Sequence, residues 1–239
     1  AQHHWQNYVQ AAEAAGVRLP IDPGFRVCAC RVFAISDFVA GLCHRSPVLL
    51  ADLLDSGDLL ADSWPGVMGR RVVEQLAACA NEPALHQLLR QLRQREMLRI
   101  AWRDLAGWAT LEETLRDLSE LADACIQGAL DRLSTWQAKE NPAPLGVNRR
   151  PLPLIVVAMG KLGAHELNFS SDIDLIFTYP DSAVTQRRNS LSAEQYFTRL
   201  GQSLIQALSK LDEDGFVYRV DMRLRPYGDA GALVCSFEA

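Results

Sequence analysis

Two carboxylates, Asp172 and Asp174, stand two residues apart inside the otherwise apolar run NFSSDIDLIF at residues 168–177. Alternate side chains of a strand share a face, so this spacing turns both acids one way while Ile173, Leu175 and Phe177 turn toward a core. Two like charges held side by side repel, and the arrangement is costly unless a cation lies between them or the pair meets solvent in a cleft. The chemistry this suits is oxygen-only ligation of a hard divalent ion, Mg²⁺ or Mn²⁺, which keeps several waters and is completed by substrate phosphates. A third acid is then expected on a neighbouring strand. FVYRVDMRLRP, residues 216–226, supplies one: alternation puts Val217, Arg219, Asp221, Arg223 and Arg225 on one face, and Phe216, Tyr218, Val220, Met222 and Leu224 on the other. Asp221 could also serve as the ion-pair partner of Arg223.

Groups suited to phosphate lie on either side. In MGKLG, Gly160 and Gly163 let backbone amides approach a phosphate, and Lys161 adds a mobile positive charge. Arg223 and Arg225 offer forked guanidinium groups for phosphate oxygens or, equally, charge balance for the three acids. Ser170 and Ser171 either cap the backbone ahead of the acidic strand or touch a nucleotide. His165 has no acid or nucleophile beside it in sequence and reads as a turn histidine, and His3 and His4 read as terminal residues.

The elements that must position these groups are short. LIVVAM at 154–159 is a continuous β-rich run, as in a strand covered on both faces. A Gly-bracketed turn follows, then the acidic strand, then a helix from Ser192 with Gln195 completing a capping box, then FVYRVDMRLR as a third strand. Residues 1–138 read as helices almost throughout. EPALHQLLRQLRQREMLRIAWRDLAG, 82–107, carries Leu85, Leu88, Leu89, Leu92, Ile100 and Leu105 at helical steps, and Thr110 with Glu113 forms a capping box ahead of the next long helix. Trp102, Trp108 and Trp136 are expected to pack between helices, and Arg93, Arg95, Arg99 and Arg103 to form a solvated face with internal ion pairs. KENPAPLGVNRRPLP, 139–153, has four prolines and no periodicity, so it reads as a linker between a helical domain at 1–138 and a catalytic domain at 154–239. The expected class is α+β: a helical bundle, then a small mixed sheet with flanking helices.

With 239 residues, 49% hydrophobic content, 22% charge and a net charge of −5, the chain has the composition of a soluble globular protein. That balance argues against a general nucleic-acid or membrane-surface binder and for a protein or small-molecule partner. The six cysteines follow no framework and read as reduced thiols; Cys28 and Cys30 lack the further ligands a zinc site needs. No apolar run approaches the ~20 residues of a membrane helix, so a cytoplasmic location is expected, and the abrupt ends suggest a piece of something longer.

GKLG, NFSSDIDLIF and VYRVDMRLRPYG together resemble the polymerase β-type nucleotidyltransferase superfamily, whose pattern is a Gly-containing turn, a strand Asp-x-Asp and a third strand Asp. In detail, residues 155–236 are similar to the bifunctional glutamine-synthetase adenylyltransferase/adenylyl-removing family, and QREMLRIAWRDLAG fits the segment that precedes its catalytic domain. Members carry two such domains in tandem. The wording here is similar to the N-terminal, adenylyl-removing one, the other tending to GYxSDLDL and VDxRLRPSG. The resemblance implies metal-dependent phosphorolysis, in which inorganic phosphate attacks the AMP phosphorus on a modified tyrosine of glutamine synthetase and releases ADP. It also implies that Asp172 and Asp174 bridge two metals with Asp221 on the one nearest the attacking oxygen, that an adenine nucleotide binds, and that glutamine and the PII signal protein regulate nitrogen assimilation through the enzyme. Two positions depart from the pattern: Lys161, where many members have Ser after the turn Gly, and Ala164, where Gly is usual. The rivals are an adenylyltransferase attaching AMP from ATP to a protein tyrosine, and a regulatory binding module whose nucleotidyltransferase fold is idle. Retention of all three acids counts against the second.

Overall fold

The protein is described by a computed structural model covering residues 2–19, 22–146, 148–181, 191–213 and 215–238. Its contacts group into two compact units, residues 1–65 with 91–118, and 66–90 with 119–239. The division falls within two long helices, α6 (Glu82–Ala106) and α7 (Leu111–Glu140). Apart from Val147, outside the described residues, the proline-rich stretch folds back on itself: Leu145 bridges Pro151, and the Gly146 amide donates to the Arg150 carbonyl at 3.0 Å.

The first unit is helical. Among the described residues, four helices precede its share of α6 and α7: α1 (Gln2–Ala14), α2 (Pro23–Ile35), α3 (Asp37–Arg45) and α4 (Pro47–Asp55). Their ends follow from side chains that satisfy first-turn amides: Asp22 accepts from the Phe25 amide at 2.6 Å ahead of Pro23, and Ser36, which also ends α2, accepts from the Val39 amide at 3.2 Å. Trp102 is the core anchor, stacked on Phe25 at 5.4 Å and edge-on to Phe33 at 5.6 Å. Trp108, by contrast, is exposed.

The arginines of α6 depart from the expected solvated face. Arg99 and Arg103 are buried, as are Glu96 and Asp117. Arg95 bonds Asp52, Asp58 and Glu96; Arg99 bonds Glu96 and Asp117; Arg103 bonds Glu113 and the Leu59 carbonyl. The internal ion pairs are present, but inside the unit, because opposing carboxylates from α4 and α7 meet this face. Buried charge survives only when paired in this way.

In the second unit, α5 (Val67–Ala77) is held at its start by Glu120, whose two oxygens accept the Gly66 amide at 3.0 Å and the Gly69 amide at 2.6 Å. Trp136 lies under Arg132, with Cζ 4.9 Å from the ring centroid. Among the described residues the sheet has four strands: β1 (Ile155–Met159), β2 (Ile173–Tyr179), β3 (Val220–Asp221) and β4 (Val234–Ser236). β2 runs antiparallel to β1 on one side and parallel to β3 and then β4 on the other. Between β1 and β2 comes α8 (Gly160–Gly163), and between β2 and β3 comes α9 (Ala193–Ser209), which carries the full Ser192/Gln195 capping box. α9 covers one sheet face: Phe197 stacks on Tyr179 at 4.7 Å, and a Cβ at Gly201 would meet the Phe177 ring at 2.8 Å. Helices with a small mixed sheet make the α+β class expected from the sequence.

Two strands differ from the sequence reading. β1 is not covered on both faces, since Val157 and Met159 remain 39% and 36% exposed; among the described residues it pairs with β2 alone, and α9 shields the opposite face of the sheet. The third strand is only two residues long rather than ten. Val217 and Tyr218 are both buried, their amides donating to the Leu208 carbonyl at 3.0 and 2.9 Å, and Leu224 is exposed. Beyond β3 the chain turns at once, because the Asp221 carboxylate accepts the Arg223 amide at 2.8 Å and the Arg225 amide then donates to the Met222 carbonyl at 3.3 Å. An Asp that captures the amide two residues on is a local competitor of the ladder. The closing VCS is β4, paired parallel to the end of β2. No single described helix is long and apolar enough to cross a membrane.

Candidate active site

The register of the sheet brings two of the three acids together. Asp174 is the partner of Met159 across the antiparallel pair and of Asp221 across the parallel pair. Neighbouring strands run about 4.8 Å apart and paired residues share a face, so Asp174 and Asp221 leave adjacent strands on the same side. Asp172 lies two residues upstream, just before β2, one repeat along the same face. Ile173, Leu175 and Phe177 turn the other way into the core, as the sequence predicted.

The Gly turn abuts this group. Gly160 has φ +55, and a Cβ there would fall well inside contact distance of the Asp174 carboxylate; a Cβ at Gly163 would meet the Ala158 carbonyl oxygen at 2.5 Å. Only glycines let the turn lie this close to β1 and to Asp174. Gly215 offers an internal comparison, having φ +88 with nothing within 4 Å of a Cβ. Gly215→Ala therefore reports left-handed strain alone, whereas Gly160→Ala adds the clash with Asp174. Gly160→Ala is expected to cost about 1–3 kcal/mol and more than Gly215→Ala, by thermal or urea unfolding. Equal losses would mean that the carboxylate moves aside freely.

Two of the three acids, Asp172 and Asp221, have cationic company. The Arg219 Nε donates to Asp172 Oδ1 and its Nη2 to the Ser170 carbonyl at 2.9 Å. Arg223 forks onto Asp221, with Nε 2.9 Å and Nη2 2.5 Å from Oδ2, beside the amide bond already described. The Arg223 side chain and backbone N–H together hold the Asp221 carboxyl below the usual carboxylate range. The Asp221–Arg223 pairing that the sequence left open is thus present. Among the described residues, no three His, Cys, Asp or Glu side chains converge into a group that would hold a metal ion. Asp172 and Asp221 are instead turned onto their arginines. The donor set itself, three carboxylates from two adjacent strands with no sulfur or imidazole, is of the kind that a hard divalent cation takes.

The remaining candidates fall into place unevenly. Ser171 closes a local turn, its Oγ donating to Asn168 Oδ1 at 2.6 Å, and Ser170 contributes its carbonyl to Arg219, so both act on the loop before β2. Lys161 is exposed on α8, where its carbonyl accepts the Glu166 amide at 2.8 Å. Arg225 is half-buried and its Nη1 donates to the Met222 carbonyl at 2.8 Å, which turns it toward the backbone. His165 sits exposed in a left-handed turn at φ +57. All six cysteines are free thiols, with Cys43, Cys79 and Cys125 buried. The sequence sets Arg219 beside Asp221, among the arginines that could grip phosphate, without showing its bond to Asp172, and it gives Asn168 no role. The available signal for Arg219 was its position two residues before Asp221, which in parallel register sets it opposite Asp172.

The profile of the family described as "GlnE: Glutamate-ammonia ligase adenylyltransferase" matches residues 28–239. The chain belongs to this family. A curated relative from Nitrosococcus oceani, named bifunctional glutamine synthetase adenylyltransferase/adenylyl-removing enzyme, is 50% identical over 212 residues, 88% of this chain and 22% of the relative. A relative of the same name from Pseudomonas aeruginosa is 49% identical over 87% of this chain and 22% of its own length, and one from Shewanella loihica is 41% identical over 99% and 24%. The chain thus spans under a quarter of the length of these relatives. The GlnE family comprises adenylyltransferases, so nucleotidyl transfer is the family's chemistry.

Proposed function

We propose that this chain is the adenylyl-removing part of a bifunctional glutamine-synthetase regulator, with the nucleotidyltransferase fold in residues 154–239 following a helical domain and linker. Its reaction is phosphorolysis of AMP from an adenylylated tyrosine of glutamine synthetase. An oxygen of inorganic phosphate bonds to the AMP phosphorus, the bond from phosphorus to the phenolic oxygen breaks, and the products are ADP and tyrosine. The observation that carries the reading is the pairing of Asp174 with Asp221 across adjacent strands, with Asp172 on the same face and the Gly turn against Asp174. The wording of NFSSDIDLIF and GFVYRVDMRLRPYG favours removal over attachment.

In this reading Asp172, Asp174 and Asp221 would hold Mg²⁺ or Mn²⁺, which would supply positive charge to offset the negative charge on the transferring adenylyl group. The amides of Gly160 and Gly163 with Lys161 hold phosphate oxygens, and Arg223 and Arg225 supply further positive charge. Ser170 and Ser171 shape the loop that presents Asp172. The phenol of the substrate, with a pKa of about 10, leaves as tyrosinate without a strong general acid. A cytoplasmic setting, glutamine as effector and the PII signal protein as partner belong to the same proposal.

Incubating the chain with adenylylated glutamine synthetase and phosphate should release ADP, while ATP with the unmodified protein should leave its tyrosine unmodified. AMP attachment from ATP without ADP release in the first arm would establish the reverse assignment. Inertness in both arms, with glutamine synthetase or PII still bound, would leave the chain a regulatory module.

A further inference from the structure

We propose that Arg219 is a built-in counter-cation of the acidic cluster, neutralising Asp172 in the metal-free protein, so that a divalent cation takes Asp172 only by displacing it. The inference rests on the reading of Asp172, Asp174 and Asp221 as metal ligands.

Four contacts build the device. The Arg219 carbonyl accepts the Ile173 amide at 2.9 Å, which fixes its backbone beside the start of β2. Its guanidinium then forks, Nε onto the Asp172 carboxylate and Nη2 onto the Ser170 carbonyl. The Phe216 ring, with its centroid 5.9 Å from Cζ, supports the planar group. With one arm on Asp172 Oδ1 and the other on the Ser170 carbonyl, the guanidinium neutralises the carboxylate and ties it to the loop backbone. Yet Arg219 and Asp172 are 59% and 47% exposed, and an exposed ion pair is weak. Such a pair suffices to offset repulsion between neighbouring acids and yields to a doubly charged ion that several carboxylates bind at once. Once released, the guanidinium remains tethered within reach of the site, where a phosphate oxygen is its natural next partner.

A purely structural Arg219 predicts the opposite sign. If it served only to order Asp172 for ligation, its removal would loosen metal binding. If it competes, removal tightens binding, because the carboxylate is freed and a positive charge near the incoming ion is lost.

The test is Mn²⁺ titration of the chain, read by calorimetry and by the paramagnetic resonance signal of free Mn²⁺. Arg219→Gln is expected to bind Mn²⁺ about three- to tenfold more tightly than wild type, and Arg219→Lys, which keeps the charge but loses the fork, to be tighter by a smaller factor. Unchanged or weaker binding by Arg219→Gln overturns the proposal. Circular dichroism establishes that each variant folds, and should Arg219→Gln fail to fold, Arg219→Lys decides by the same criterion. Asp174→Asn distinguishes the underlying reading: a wild type that binds no Mn²⁺, or an Asp174→Asn variant that binds it equally well, defeats the metal assignment itself.

Discussion

Asp174→Asn should lower phosphorolysis of adenylylated glutamine synthetase by at least 10²- to 10³-fold, on the scale seen when one preorganised electrostatic group is removed from a transferring centre, while the protein stays folded. The substitution keeps the size and shape of the side chain and removes only its charge. Asp174 is the member best placed to matter, since it pairs with Asp221 in register and lies against the Gly160 turn. Asp172→Asn should lose a similar factor, and so should Asp221→Asn, although the latter also loses part of its grip on Arg223. Rates of ADP release at saturating phosphate, with a melting curve for each variant, check this. Wild-type turnover in Asp174→Asn would end the proposal that these acids are the reacting centre.

What the sequence disclosed about this centre depended on where local pattern and long-range packing agree. The Asp-x-Asp strand was legible because Ile173, Leu175 and Phe177 alternate with it, and the observed alternation of burial along β2 follows that pattern. The α9 start was legible because Ser192 and Gln195 form their capping box from residues three apart. The alternation of FVYRVDMRLR is real and predicts ten residues of strand, but Asp221 takes the Arg223 amide for itself and ends the ladder after two residues. A side chain that competes with the backbone leaves no trace in periodicity. β1 misled for another reason: an apolar run shows that residues avoid water without showing on how many sides they are covered, and Val157 and Met159 lie on the less covered side. The helix α6 shows the same limit for charge. Arginines at 95, 99 and 103 resemble a wet helix face until the carboxylates that meet them, which come from as far as Asp52 and Asp117, are in place.

Those carboxylates give the largest stability effect expected in the first unit. Asp117 is 3% exposed and accepts from the Arg99 Nη2 at 2.9 Å, the Ser63 hydroxyl at 2.6 Å and the Arg116 Nη2 at 2.9 Å. Asp117→Ala leaves Arg99, itself 6% exposed, with Glu96 as its remaining carboxylate, and Glu96 is already shared with Arg95. A buried charge stripped of one partner costs about 3–5 kcal/mol, which for a chain of this size lowers the melting temperature by about 6–20 °C. The pair as a whole need not be stabilising, because taking both ions out of water costs about as much as their attraction returns. The double substitution Arg99→Met with Asp117→Leu removes both charges at similar volume and should therefore recover most of the loss. Denaturant unfolding of Arg99→Met, Asp117→Leu and the double isolates the coupling. If Asp117→Ala costs under about 1 kcal/mol, the value of an exposed pair, then water reaches this network and its arginines belong to the surface after all.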